Sequence, residues 1–162
     1  MPILGIAMSL TTIVGMFYGA KEFDKLLSVV NYGINRAVLI TTISVIFFFV
    51  LASNILPIFS SNPLVIDIGV TYLKIIILVY PAVGISVICS RVCQALGQGM
   101  PLLITTITRV IILTAPLSYY FYFTGRPIEW VWFSQVFAIL IAATISFAWM
   151  RYYFRKFNIV RN

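Results

Sequence analysis

The sequence contains no histidine and only four carboxylate side chains, those of Glu22, Asp24, Asp67 and Glu129. Hydrolytic and metal-dependent active sites draw on histidine, aspartate and glutamate for general bases and metal ligands. Most such sites are therefore excluded. We predict that the chain is not an enzyme and that it holds no metal ion or organic cofactor.

Charged residues of any kind are scarce, at 9% of the chain, whereas 62% of the residues are hydrophobic and the mean hydropathy is +1.07. In a typical soluble domain roughly a quarter of the residues are charged. A soluble protein of this composition would need helices that are apolar on every side, and a chain of 162 residues is too short to bury them all. The composition therefore predicts a membrane protein.

Long uncharged runs fill most of the chain. The run from Ala37 to Phe59 contains 23 uncharged residues. As a helix it would be about 35 Å long, enough to cross a hydrocarbon core of about 30 Å. We predict an all-α, polytopic fold that forms a single membrane domain over residues 1–162, with transmembrane helices at 1–20, 37–59, 64–90, 102–123 and 130–150.

The net charge of +7 is distributed unevenly between the predicted loops. Basic residues follow the first, third and fifth spans, whereas the other two connections have one basic residue between them, Arg126. Under the positive-inside rule, this pattern places the C-terminus in the cytoplasm and the N-terminus outside the cell membrane. The partner of these charges is thus the lipid bilayer, not nucleic acid. The residues concerned are Lys21, Lys25, Arg36, Arg91, Arg151, Arg155, Lys156 and Arg161.

The first twenty residues are open to a second interpretation, because Gly19 and Ala20 would suit a signal-peptide cleavage site. A signal peptide carries its positive charges before the apolar segment, whereas Lys21 and Lys25 follow it. The segment is better interpreted as a span. It begins without a polar lead, and we expect this for the tail of a longer protein.

Polar residues within the predicted spans are the candidates for a transport pathway. Asp67, Thr71 and Lys74 are spaced i, i+4, i+7 and form one stripe on the third span. Lys74 lies about 15 Å along that span, close to the midplane, where a charge is costly. Arg109 lies about 12 Å past Pro101 in the fourth span and has length enough to reach the membrane surface. For both cations, a purely structural role stays open.

Other residues of the spans predict bending or packing. Pro81 and Pro116 lie well inside their spans, and each removes a backbone hydrogen bond. Gly15 and Gly19 form a pair of small residues four positions apart, which favours close helix packing. The two cysteines, Cys89 and Cys93, lack further ligands and are interpreted as packing residues.

Several short motifs stand in a particular order along the chain. The segment Val14–Ala20 ends the first span before charged residues, Phe59–Pro63 makes a turn, Tyr72–Ile75 lies in the next helix, and Gln94–Gly99 makes a second turn. With Trp130–Trp132 after them, these motifs resemble the C-terminal portion of the multidrug and toxin extrusion (MATE) family over nearly the whole chain.

The resemblance implies that the five spans correspond to the eighth to twelfth helices of a transporter, most of one six-helix lobe. It implies an antiporter that exports drugs or other organic compounds and is coupled to sodium ions or protons. The partners implied are a small organic substrate and the N-terminal lobe, without which we expect no activity. Met16 and Glu129 depart from the family's usual glutamine and glycine.

Two alternatives stay open. A flippase for lipid-linked oligosaccharide, in the same superfamily, would have a more cationic cavity around Lys74 and Arg109. A small membrane protein that does not transport but binds a larger partner would also fit the short chain.

Overall fold

The computed structural model describes residues 2–157, so Met1 and Arg161, which belong to the predicted first span and the basic C-terminus, lie outside the described residues. Over the described range the chain forms helices and no strand, which confirms the prediction of an all-α fold. The helices are α1 (Pro2–Gly19), α2 (Phe23–Ile55), α3 (Pro63–Ile77), α4 (Tyr80–Ala95), α5 (Met100–Ile107), α6 (Ala115–Phe123) and α7 (Glu129–Lys156).

Helix length and composition support a multi-pass membrane protein. Three continuous helices are long and apolar enough to cross a membrane, namely Phe23–Ile58, Met100–Phe123 and Glu129–Lys156. The pair α3 and α4 makes a fourth span if the bent pair is counted as one. The remaining predicted span corresponds to a shorter apolar helix, Ile3–Gly19.

Helix α2 begins at Phe23, well before the uncharged run that starts at Ala37. Lys25 and Arg36 therefore lie on a helix and not in a loop. The added turns are amphipathic, and a search for uncharged runs does not detect such a segment. Their buried side is formed by Leu26, Val30 and Gly33.

The predicted third span is bent near its middle. Helix α3 ends at Ile77 and α4 begins at Tyr80, and their axes differ by 49°. Pro81 lies in the first turn of α4. Because proline has no N–H, it cannot donate to the carbonyl of Ile77, so the regular hydrogen-bond ladder is interrupted there.

The helix Met100–Phe123 contains a π-helical stretch, Thr108–Thr114, between α5 and α6. The hydroxyl of Thr114 donates to the carbonyl oxygen of Arg109 at 2.8 Å. Pro116 follows in the first turn of α6. Proline has no N–H and cannot donate a hydrogen bond to a carbonyl of the preceding turn. The wider π-helical turn lies directly before this proline.

Helix α4 lies at the centre of the molecule and packs against α1, α2 and α7. The main core is at the end of the bundle where α1, α4 and α7 finish and α2 starts. Cys89 and Cys93 are buried in it as free thiols. Its other members include Val14, Leu26, Val30, Ile88, Val92, Leu96, Met150 and Phe154.

Aromatic contacts close the same end of the bundle. The ring of Phe157 lies 5.8 Å from that of Tyr18 and 5.8 Å from that of Tyr153, and Tyr18 also approaches Phe23. We call these four residues the aromatic cluster. It joins the end of α7 to the turn between α1 and α2.

Candidate functional site

The three residues of the predicted polar stripe all lie within α3. The hydroxyl of Thr71 donates to the carbonyl oxygen of Asp67 at 3.0 Å, one turn earlier in the helix. Asp67 is exposed, whereas Thr71 and Lys74 are half-buried. The stripe thus leads from an exposed carboxylate to a cation with lower solvent access.

Lys74 contacts an aromatic ring and no carboxylate. Its Nζ lies 5.7 Å from the centroid of the Phe49 ring on α2. Among residues 2–157 the one ion pair is that of Lys25 with Glu22 at 2.9 Å, so Asp67 does not pair with Lys74. Their i, i+7 spacing separates them by about 10 Å along the helix. A cation over an aromatic face gains electrostatic stabilisation, but the charge is not neutralised.

Arg109 lies in different surroundings, in the π-helical stretch. It lines a small pocket between α4, α5 and α7 that is partly open to the outside. Lys74 is not among the lining residues. This pocket therefore does not bring the two intramembrane cations together. The pocket is lined by Ser86, Val87, Ser90, Leu102, Thr105, Thr106, Arg109 and Ala142.

Four hydroxyl groups connect the helices around this pocket, and we call them the hydroxyl cluster: Ser86, Ser90, Thr105 and Ser146. The Ser146 oxygen lies 3.1 Å from that of Ser86, 3.4 Å from that of Ser90 and 3.5 Å from that of Thr105. Thr105 in turn donates to the carbonyl oxygen of Pro101 at 2.6 Å. Three helices thus share one hydrogen-bonded group of side chains.

The hydroxyl cluster was not predicted from the sequence, because its members are uncharged and stand in apolar spans. One signal was present: Ser86 and Ser90 are four residues apart, so they lie on the same face of a helix otherwise rich in apolar residues. Their partners on α5 and α7 could not be identified without the packing of those helices.

The predicted packing glycines make few close contacts. A Cβ added at Gly15 would lie 3.9 Å from the carbonyl oxygen of Ala95, and one at Gly19 would meet no atom within 4 Å. Much closer approaches occur at Gly33 and Gly69. A Cβ added at Gly33 would lie 2.6 Å from a methyl group of Leu10, and one added at Gly69 would lie 2.6 Å from a methyl group of Leu56.

The described part of the chain contains no group of three or more histidine, cysteine, aspartate or glutamate side chains that could hold a metal ion. What it does contain is several long apolar helices, two intramembrane cations in separate surroundings and a bent span. These features define a multi-pass membrane protein.

The sequence matches the profile of the MatE family over residues 1–120. The chain therefore belongs to this family of membrane transporters, and the resemblance inferred from the motifs is confirmed. No curated protein matches the chain.

Solved transporter structures match nearly the whole chain. An inward-facing multidrug resistance MATE family transporter has a TM-score of 0.89 and 25% identity over 99% of this chain. An outward-facing structure described in the same words has a TM-score of 0.88 and 25% identity over 98%. A MOP superfamily transporter from Pyrococcus furiosus is described as having a binding pocket of reverse polarity. It has a TM-score of 0.87 and 26% identity over 99% of this chain.

The chain spans little more than a third of the length of these solved proteins. It covers 38% of the inward-facing transporter, 36% of the outward-facing one and 36% of the Pyrococcus furiosus protein.

Proposed function

We propose that the chain forms part of a cation-coupled antiporter that exports drugs or other organic compounds, with sodium ions or protons as the coupling ion. The observation that carries the proposal is the match of almost the entire chain to multidrug resistance transporters at TM-scores of 0.88 to 0.89. Its role is transport and not catalysis.

Because the solved transporters are much longer than this chain, the chain would form one lobe of such a protein. The N-terminal lobe is its proposed partner, and substrate would move between the two. Broken or bent helices line the binding sites of many transporters. The 49° bend between α3 and α4 supports placing the pathway beside these helices.

The stripe of Asp67, Thr71 and Lys74 is the proposed part of the pathway on this lobe. Asp67 is the one carboxylate within α3, and Lys74 has no carboxylate within 4.0 Å in the described chain. An unpaired, half-buried cation is stabilised when an anionic group or water faces it. The bent pair α3 and α4 would carry this stripe toward the substrate.

The distribution of charge supports a cytoplasmic C-terminus. Lys21 and Lys25 follow α1, Arg91 lies near the end of α4, and Arg155 and Lys156 lie in the last turn of α7. These helix ends meet at one end of the bundle. By the positive-inside rule, that end would face the cytoplasm.

A transport assay tests the proposal. Cells without their own exporters would express this chain alone, an N-terminal lobe from a MatE-family transporter alone, or both. We expect export of a cationic dye only when both are present, and loss of export when a sodium and proton ionophore is added. Export by the chain alone would contradict the two-lobe proposal, and export that survives the ionophore would contradict cation coupling.

The flippase alternative expected one cationic cavity around Lys74 and Arg109. The pocket of Arg109 does not include Lys74, so this observation does not favour that alternative.

A further inference from the structure

Arg109 is a cation with no ion-pair partner among residues 2–157. All four carboxylate side chains lie in the described residues, and none is within 4.0 Å of its guanidinium. The guanidinium donates no hydrogen bond to another described residue, although its five N–H groups can each donate one. An intramembrane cation with unused donors is costly unless a group from outside the chain meets it.

The hydroxyl cluster beside Arg109 offers mainly acceptors. Ser90 donates to Ser146, Ser146 to Thr105, and Thr105 to the carbonyl oxygen of Pro101. Because Ser146 donates to Thr105, Ser86 is the donor in its 3.1 Å contact with Ser146, so each hydroxyl proton of the cluster already has an acceptor. The lone pairs of Ser86 and Ser90, which line the pocket, are left to accept hydrogen bonds.

The pocket therefore suits a ligand with two features, a negatively charged oxygen for Arg109 and neighbouring hydroxyl groups for Ser86 and Ser90. A metal cation does not fit, because the lining contains a guanidinium and no carboxylate. Arginine matches phosphate oxygens well, since its planar fork donates two parallel hydrogen bonds.

Part of the pocket lining lies at an exposed face of the helix Met100–Phe123. Thr106, which lines the pocket, is exposed there, as are Leu103 and Val110 at 55% and 47%. The three residues lie on one face of the helix. An apolar outer face beside a polar pocket suits a molecule with an acyl chain and a polar headgroup.

We propose that this pocket binds an anionic phosphate group that bears hydroxyls, supplied by the headgroup of a membrane lipid. Arg109 contacts the phosphate oxygens, and Ser86 and Ser90 accept hydrogen bonds from the headgroup hydroxyls. The site is separate from the proposed pathway on α3, and its occupation does not require transport.

The test measures lipid binding by native mass spectrometry of the full chain released from neutral detergent micelles. The probes are phosphatidylglycerol, phosphatidylmethanol and phosphatidylcholine. Phosphatidylmethanol has the same charged phosphodiester without hydroxyls, and phosphatidylcholine has no net charge. A fourth probe, glycerol 3-phosphate, has the polar group without acyl chains. We expect affinity to decrease from phosphatidylglycerol to phosphatidylmethanol and then to phosphatidylcholine.

Arg109→Gln should weaken phosphatidylglycerol binding roughly tenfold, equivalent to about 1.4 kcal/mol. The matched control is Arg151→Gln, because Arg151 is exposed on α7 and lies over the ring of Phe147, away from the pocket. This control should bind as the unmodified chain does. Ser86→Ala should still bind phosphatidylmethanol more tightly than phosphatidylcholine. It should lose the preference for phosphatidylglycerol over phosphatidylmethanol.

Equal binding by the unmodified chain and Arg109→Gln, or an equal loss in the Arg109 and Arg151 variants, would overturn the proposal. If glycerol 3-phosphate binds as tightly as phosphatidylglycerol, the proposal that a membrane lipid supplies the phosphate is wrong. The pocket would then be a phosphate site for a soluble ligand. If Arg109→Gln loses its helical circular dichroism, Arg109→Lys serves instead, with an intermediate loss expected. No transport is measured, so the result does not depend on the proposed antiport.

Discussion

At the scale of single residues, the lack of a carboxylate partner for Lys74 bears on whether this residue has a structural or a functional role. A structural lysine would be held by a carboxylate, but Asp67 is not within ion-pair distance, and the ring of Phe49 is the neighbour instead. A charge kept in an apolar helix without a partner lowers stability. We therefore expect Lys74 to act in transport at a cost in stability, as is common at sites that trade stability for activity.

Replacing Lys74 by methionine, which has a similar length and no charge, should leave the thermal stability of the chain in micelles unchanged or raise it by about 1 kcal/mol. The same variant should abolish export by the two-lobe transporter. Circular dichroism melting and the dye assay measure the two effects. Lys25→Met is the control, since its exposed pair with Glu22 contributes about 0–1 kcal/mol. A clear loss of stability in Lys74→Met would assign the residue a structural role.

Gly33 gives a second prediction at this scale. A methyl group there would lie 2.6 Å from Leu10, a buried residue of α1, whereas one at Gly5 would meet nothing within 4 Å. Overpacking costs about 1–3 kcal/mol, and the gain in helix propensity from glycine to alanine is only about 1 kcal/mol. Gly33→Ala should therefore melt at a lower temperature than Gly5→Ala. Equal melting would mean that α1 moves aside freely.

At the scale of helices, features that depend on a single segment could be predicted from the sequence. Features that depend on packing between segments could not. Charge-free runs and Pro81 are local, so the apolar helices and the place of a bend could be expected. The start of α2 at Phe23 was not, because it depends on an amphipathic face packed against α1. The hydroxyl cluster was missed for the same reason, since Ser146 and Thr105 meet Ser86 only after three helices pack.

The aromatic cluster should determine how firmly the end of α7 is held. Tyr18 and Phe157 approach edge to face at 5.8 Å, an arrangement worth about 0.5–1.5 kcal/mol beyond burial. In a double-mutant cycle, Tyr18→Leu and Phe157→Leu should show a coupling energy of this size in thermal melts. Phe137→Leu, at an exposed position on α7, should not couple to Tyr18→Leu. A coupling near zero for Phe157 would show that α7 is held by the buried core alone.

At the scale of the molecule, the described helices resemble inward-facing and outward-facing transporters almost equally, with TM-scores of 0.89 and 0.88. A large change of shape in this lobe between those states would make one of the two likenesses clearly poorer. A lobe that moves as a rigid body accounts for both values, and the central position of α4, which packs against α1, α2 and α7, gives a physical reason. The change between states would then occur between lobes, as in alternating access.

Spin labels can test this rigidity in the two-lobe transporter. Labels at Tyr32 on α2 and Tyr152 on α7 would occupy exposed positions, whereas the native thiols of Cys89 and Cys93 are buried and should react slowly. We expect the distance between the two labels to change by less than about 2 Å when substrate or the ion gradient is added, a limit typical of bodies that move as units. A pair with one label on each lobe should shift by more. If the pair within the chain shifts as much, transport would involve a change of shape within this lobe.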